Sequence, residues 1–542
     1  MLNRPLQAVI VRVGIALATR TFFQPDEYFQ SLEVAHHAVF GYGQLTWEWL
    51  SPKPIRSIVY PSLNIPVYWL LKVLKLDDTA ALVWGPKLVH GLIAAGTDIW
   101  LMRLTRRAVG ERYVKAAFYL SLTSFFHGLS LSRSISNSAE TSLTTMALSY
   151  FPWDVDLPSW SGGLRMTLVL AALACAIRPT NTVLWAYMFA WLLWKLRQRP
   201  GDIAIVLVEV MAIGSITLAS IFALDTAYYG ERVFTPLNFL LTNASSVSLF
   251  YGTSPWHYYV TQAIPILCAP MIPWFLEGAY QASKPASSRP LKTLLGLIVW
   301  TLTVYSIAGH KEWRFIHPLL PCMHILAASS LADSVGGDSQ QNPFRRLSAS
   351  HYFLALSIPA IGYVMLFHER AQIEVIHYIR SLPAEQSISI GFLMPCHSTP
   401  WQAYLHRPDL ADDGRLWALG CEPPLQGQNV SEYKDQTDIF YESPIQYLKT
   451  RFPKRVDPRF LPSPLPRSKP GVTTVDPHPW QHEWPQNLVF FGALLEHEGV
   501  RDVLLRHGYQ EVWQAEYGWE GDGRRKGGVR VWRFGPAAQD SA

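Results

Sequence analysis

Residues 203–224 read IAIVLVEVMAIGSITLASIFAL, an apolar run with a single charge, Glu209, and no proline. About 20 such residues cross the hydrocarbon core of a bilayer as helix, so this stretch reads as a membrane span. Outward from it, further apolar runs lie near 5–21, 81–102, 114–131, 135–151, 164–178, 180–196, 259–279, 291–308, 314–332 and 351–368. Several are short, and the run at 259–279 carries Pro265, Pro270 and Pro273. The expectation is an α-helical polytopic membrane protein with about eleven transmembrane helices. Bulky Phe22 and Phe23 follow the first run where a cleavage site needs small residues, so that run is expected to stay as the first span.

The composition agrees once it is divided. The 542 residues are 49% hydrophobic and only 16% charged, with 21 tryptophans of the kind that line membrane–water interfaces. Mean hydropathy is barely positive because two unlike parts are averaged. Residues 1–370 hold the apolar runs and form the expected transmembrane domain, with a long first loop at 22–80. Residues 371–542 are rich in proline and charge. Short apolar runs at Ile388–Met394 and Asn487–Phe491, with a helical stretch at Val500–His507, predict a small α/β domain there. A net charge of +5, spread along the chain, gives no nucleic-acid footprint. No internal repeat is evident, and no Walker loop, Rossmann fingerprint, His-Glu-x-x-His or Cys-x-x-Cys motif occurs.

Basic loops orient the spans. Arg103, Arg106, Arg107, Arg112 and Lys115 form one cluster, Lys195, Arg197 and Arg199 a second, Lys284, Arg289 and Lys292 a third, and Arg345 with Arg346 a fourth. Lys and Arg mark cytosolic loops, and an even number of runs separates each cluster from the next, as topology demands. The N-terminus is then cytosolic, and the 22–80 loop and the 371–542 domain are luminal. The loop at 152–163 is cytosolic by parity yet acidic. Two glycosylation sequons, at Asn243 and Asn429, fall on the luminal side. Cys175, Cys268 and Cys322 sit in apolar runs as small hydrophobes. Cys396 and Cys421 lie in the tail, where an oxidising lumen allows a disulfide and two free thiols are the alternative.

The ionisable residues at the membrane edge gather on this luminal side. They are Asp26 and Glu27 after the first run, Arg133, Asn137 and Glu140, Arg178, Asp225, and the loop His310-Lys311-Glu312-Trp313-Arg314. Charges at a membrane edge are costly, so a one-sided collection marks a site. Individually, Arg133 or Arg178 can cap a helix or reach headgroups, Asn137 and Glu140 can bridge helices, and one of the acidic pair can serve as a helix N-terminal charge. Together, a carboxylate facing several cations suits transfer from a lipid-phosphate-linked donor. The carboxylate takes a proton from an acceptor hydroxyl while Lys and Arg stabilise the departing phosphate. Cations alone can hold a lipid monophosphate, so no metal is called for.

Four motifs carry a resemblance: Phe23-Gln-Pro-Asp-Glu-Tyr-Phe-Gln30, Arg133-Ser-Ile-Ser-Asn-Ser-Ala-Glu140, Arg178-Pro-Thr-Asn181 and His310-Lys-Glu-Trp-Arg-Phe315. In them the chain resembles the dolichyl-phosphate-mannose-dependent mannosyltransferases of glycosyltransferase family 22. Pro25–Trp49 and Met394-Pro-Cys-His-Ser-Thr-Pro400 look like the branch that acts on the glycosylphosphatidylinositol (GPI) precursor, and Tyr251–His257 is shared more widely. The resemblance implies a GT-C architecture in the endoplasmic reticulum membrane. It implies inverting α1,2-transfer of the third mannose from dolichyl phosphate mannose, as substrate rather than cofactor, to a mannosylated glucosaminyl-phosphatidylinositol. Asp26 is then the expected base beside Glu27, with His310, Lys311, Arg314, Arg133 and Arg178 toward the donor phosphate. Asn137, Glu140 and Asp225 support the acceptor or the loops. Gln24 stands where many relatives carry His, so no histidine role is expected there. Two alternatives are a family 22 enzyme of the lipid-linked N-glycan precursor and, in a different class, a lipid transporter or scaffold. Against the latter stand the one-sided charges and the lack of a repeat.

Overall fold

Each apolar run coincides with helix, in whole or in part, and the boundaries follow local chemistry. The computed structural model describes residues 3–157, 160–334, 354–411, 414–425, 429–464, 481–519 and 523–535. Arg345 and Arg346, together with the start of the last run, lie outside the described residues. The 203–224 run sits inside a 30-residue helix, Pro200–Tyr229, with proline at its start and Gly230 in the left-handed conformation (φ 73°) at its end. Along it Val208, Met211 and Ile216 are 66%, 68% and 66% exposed, a surface suited to lipid.

The chain is a multi-pass membrane protein. Four helices among the described residues are long and apolar enough to cross a membrane: Trp160–Ile177, Pro200–Tyr229, Arg289–Ile307 and Trp313–Asp333. A bent pair raises that to five. Fewer helices pass than the about eleven runs expected, and there are physical reasons. Arg4–Ala18, Ser136–Tyr150 and Thr182–Lys195 are only 15, 15 and 14 residues long. Ala81–Ala108 carries Asp98, which pairs with Arg12 of the first helix at 2.7 Å, both side chains fully buried. Ser121 donates to Asp98 (2.6 Å) and its carbonyl accepts from Arg12 (2.7 Å). Such helices are held partly by polar contacts that hydropathy reads as breaks. The 259–279 run is not a straight span. Tyr259–Cys268 and Ile272–Ser283 meet at 117° across a break containing Pro270.

Charges sort by end of the bundle. Arg107 donates to the carbonyl of Ser149, Arg112 pairs with Asp333 at 3.0 Å, and Lys195 donates to the carbonyl of Trp153. The acidic 152–157 loop joins this basic end, because Asp156 pairs with Arg199.

At the opposite end lie the first loop and a mixed five-stranded sheet. Its strands are β1 Ile390–Phe392, β2 Leu416–Ala418, β3 Asn487–Phe491, β4 Tyr509–Ala515 and β5 Val529–Phe534, in the order β2-β1-β3-β5-β4. β1 runs parallel to β2 and β3, whereas β5 is antiparallel to β3 and β4. One face shares a core with Phe22, Tyr28, Phe29 and Leu32 of the first loop. The other packs Trp417, Phe490 and Trp532 under the helix Val500–Arg506. The division drawn at residue 370 therefore separates two parts that pack together. Glu33, fully buried, accepts from the backbone N–H of Gln44, Gln402 and Ala403 at 2.8, 3.2 and 2.8 Å. Nearby, His36 meets His406 at 2.9 Å.

Candidate active site

Pro25 starts a helical turn that runs through a π-helical segment, Tyr28–Leu32, into the helix Glu33–Phe40. Adjacent positions on a helix point about 100° apart, so Asp26 and Glu27 face different surroundings. Glu27 turns inward, 5% exposed, and pairs with Arg133 at 3.2 Å. Burial raises its pKa, against the opposing charges of Arg133 and Lys87. Asp26 keeps partial exposure and accepts from Arg314 at 2.6 Å.

Arg314 is the hinge of the arrangement. Its Nε and Nη2 grip both oxygens of Glu312 at 2.6 and 2.9 Å, while Nη1 holds Asp26, 288 positions away in the chain. His310 Nε2 lies 3.2 Å from Glu312 Oε1, and Nδ1 lies 3.0 Å from the carbonyl of Gly252. With acceptors at both ring nitrogens, the imidazolium is favoured, and the Glu312 hydrogen bond raises the pKa against burial. Burial alone would raise Glu312, but Arg314 and His310 outweigh it and hold the carboxylate well below its usual range. Lys311 is buried and donates to the carbonyl of Ser254 at 2.9 Å, while the N–H of Ser254 donates to Gly309. The loop at 252–254 thus backs the 310–314 loop.

The remaining expected residues divide. Arg178 lies close by, with its guanidinium 5.3 Å from the Phe315 ring centroid, and pairs with buried Glu140 at 3.2 Å. Asn181 also donates to Glu140, at 2.8 Å. Asn137 is fully buried at the start of the helix carrying Glu140. Arg133 does not join the cations around Arg314. Its guanidinium is spent on the Thr21 and Leu129 carbonyls, the Thr21 hydroxyl and Glu27, so it clamps the inward carboxylate. Asp225 is a loop anchor, accepting from Ser57 Oγ, Ile58 N and Thr235 Oγ1 at 2.8, 3.0 and 2.5 Å. Asn243 and Asn429 are exposed.

Cys396 and Cys421 form a disulfide, with Cα atoms 5.9 Å apart. Together with His397 they place ligand atoms within 4.8 Å of one another. While the disulfide is intact both sulfurs are spent, and the imidazole alone is not a metal site.

Sequence reasoning missed Glu48 and Arg56. Arg56 grips Glu48 at 2.6 and 2.9 Å, and Gln30 donates to the other Glu48 oxygen at 3.0 Å. Arg56 feels Glu48, Asp26 and Arg314, and lines a cleft with Gln30, Tyr60, Ser136 and Pro179. The available signal was a lone carboxylate, Glu48, with two cations, Lys53 and Arg56, amid the tryptophans and prolines of the 42–56 segment.

The family model described as "Alg9-like mannosyltransferase family" matches residues 6–406. "GPI mannosyltransferase 3" of Yarrowia lipolytica is 37% identical over 449 residues, 82% of each chain. "GPI alpha-1,2-mannosyltransferase 3" of Homo sapiens is 34% identical over 456 residues, 82% of this chain and 76% of the relative. Among solved structures, ArnT from Cupriavidus metallidurans bound to undecaprenyl phosphate aligns with a TM-score of 0.59 at 12% identity. It covers 98% of this chain and 97% of its own, and so shares the fold.

Proposed function

Because this chain belongs to the Alg9-like mannosyltransferase family, we propose that it transfers the third mannose, α1,2-linked, onto a GPI precursor from dolichyl phosphate mannose. The enzyme is a GT-C mannosyltransferase of the endoplasmic reticulum membrane, with the Asp26 end of the bundle and the sheet in the lumen. The names of relatives above 30% identity over most of their length support the acceptor class. The observation that carries the chemistry is the bridge from Asp26 through Arg314 to Glu312, with His310 and Lys311 in the same loop.

In this reading the reaction is a single displacement. The acceptor's 2-hydroxyl oxygen bonds to the anomeric carbon as the bond from that carbon to the phosphate oxygen breaks. Configuration inverts from β to α. The hydroxyl proton passes to the Asp26 carboxylate, and the electron pair leaves on dolichyl phosphate. Lys311, His310 and Arg178 face the charge that builds on the leaving phosphate, where fixed donors lower the barrier most. Arg314 aligns Asp26, and Glu312 in turn orients Arg314. Arg133 contributes by fixing Glu27 beneath the base, and Asp225 holds the loop beside it. No step calls for a cofactor.

Loss of the gene in its host is expected to accumulate a two-mannose GPI intermediate. Truncation of the lipid-linked oligosaccharide instead contradicts the reading. Lys311→Met is expected to raise the KM for donor about tenfold or more and that for acceptor less than twofold, in initial-rate assays. Equal effects on both contradict the phosphate assignment.

A further inference from the structure

At the end of the bundle away from Asp26, the start of the first helix, Arg4–Ala18, lies beside the end of the helix Ala81–Ala108. Together they frame an open cavity of about 570 Å³. Small-molecule sites span roughly 300–1,000 Å³, so a headgroup-sized ligand fits. Arg4, Arg103 and Arg106 line it, with Trp100 and apolar Ile99 and Met102. Just inside, the buried Arg12–Asp98 pair and the packing of Ala8 with Ala95 and Met102 hold the two helices together. None of these residues takes part in the chemistry above.

Arg103 is half-buried, with its guanidinium 5.1 Å from the Trp100 ring centroid and 4.0 Å from that of Tyr150. Aromatic faces orient the cation but leave its in-plane N–H groups able to donate. Among the described residues no carboxylate forms an ion pair with Arg4 or Arg103, whereas exposed Arg106 pairs with Glu111. Three guanidiniums against one carboxylate leave two positive charges at the cavity. A guanidinium fork matches phosphate oxygens two at a time. Along the first helix Leu6, Ile10 and Leu17 form an exposed apolar stripe, which suits acyl chains. Tryptophan at such an edge marks the membrane–water boundary, and basic pockets between spanning helices are recurrent sites for anionic headgroups.

We infer that this cavity binds the phosphate-bearing headgroup of an anionic phospholipid, with Arg103 on the phosphate, Arg4 and Arg106 beside it, and the acyl chains along Leu6 and Ile10. The choline of a zwitterionic lipid brings its own positive charge to the same three arginines and is disfavoured. Bound there, the lipid braces the first helix against Ala81–Ala108 and stabilises the folded protein by mass action. It does so at the far end of the bundle from the His310–Arg314 loop, and therefore without competing for the donor's phosphate.

The test uses full-length protein in detergent, titrated with dioctanoyl phosphatidylserine, dioctanoyl phosphatidylcholine or water-soluble glycerophosphoserine, and read as a rise in thermal midpoint. Phosphatidylserine is expected to bind about tenfold or more tightly than phosphatidylcholine. Arg103→Gln and Arg4→Gln are each expected to weaken its binding about fivefold, and Lys311→Met, at the other phosphate site, to leave it unchanged. Arg4→Gln breaks no ion pair and decides the matter alone should Arg103→Gln fail to fold. Binding that ignores the arginine variants, or that is lost in Lys311→Met instead, overturns the site, as does equal affinity for the two lipids. Glycerophosphoserine binding as tightly as the lipid overturns the membrane source in favour of a soluble phosphate ester.

Discussion

Arg314→Lys removes the fork that joins Asp26 to Glu312 while keeping a positive charge. Arg314 makes three contacts, at 2.6, 2.6 and 2.9 Å, with side chains 8%, 18% and 26% exposed for Arg314, Asp26 and Glu312. A lysine is a single point charge and can hold one of the two carboxylates in that geometry. Each hydrogen bond to a charged group contributes about 1.5–3 kcal/mol, and partial solvent access lets water recover some of the loss. A net cost of about 2–3 kcal/mol in transition-state alignment follows, or roughly 30- to 150-fold in kcat. The assay is transfer of radiolabelled mannose at saturating donor and acceptor, with thermal midpoints to confirm folding. Glu312→Gln is expected to lose a similar factor, and the double variant little more than either single one, because the residues act as one unit. A kcat within threefold of wild type for Arg314→Lys, or fully additive losses, refutes the reasoning.

Other perturbations probe the frame around the site. Asp98→Ala strands the buried guanidinium of Arg12 and is expected to cost about 3–5 kcal/mol, read as a fall in thermal midpoint. Arg12→Met with Asp98→Leu recovers most of that, and a double variant no more stable than the single one contradicts the pairing. Burial pushes the pKa of Glu33 up to about 7, against three backbone N–H donors that lower it. An acid with a raised folded pKa stabilises below its unfolded value of 4.5 and loses that contribution as pH rises toward 7. Glu33→Gln is therefore expected to gain on wild type by about 2–3 kcal/mol in unfolding stability between pH 5 and pH 8. His36, whose pKa burial lowers to about 3, titrates alike in both proteins and cancels from that difference. A difference independent of pH contradicts the buried carboxylate.

What could be read in advance follows from which interactions are local. The span at 203–224 depends on its own apolarity, and the helix Pro200–Tyr229 contains it. Asp26 and the 310–314 loop stood out because charges interrupt apolar runs, and the structure brings them together through Arg314. The pairing of Glu48 with Arg56 was not legible. It spans a loop without periodicity, and its importance comes from Asp26, reached through the fold. The prolines of the 259–279 run announce a break but not the 117° angle, which depends on what the two pieces pack against. Strand β4 escaped notice because it lies at the sheet edge, where alternation is diluted by exposed polar residues, and β5, inside the sheet between β3 and β4, because Arg530 and Arg533 interrupt its apolar positions. The burial of Glu33 was not legible, since it is created by residues 402–403, far along the chain.

The most direct measurement is single-turnover mannosyl transfer by purified wild-type protein and Asp26→Asn, with donor saturating and folding verified by thermal midpoint. An asparagine keeps the shape and a contact to Arg314 but cannot take the proton. The rate is expected to fall about 10²–10⁴-fold with donor binding retained. Transfer by Asp26→Asn within a few-fold of wild type contradicts the assignment of the base.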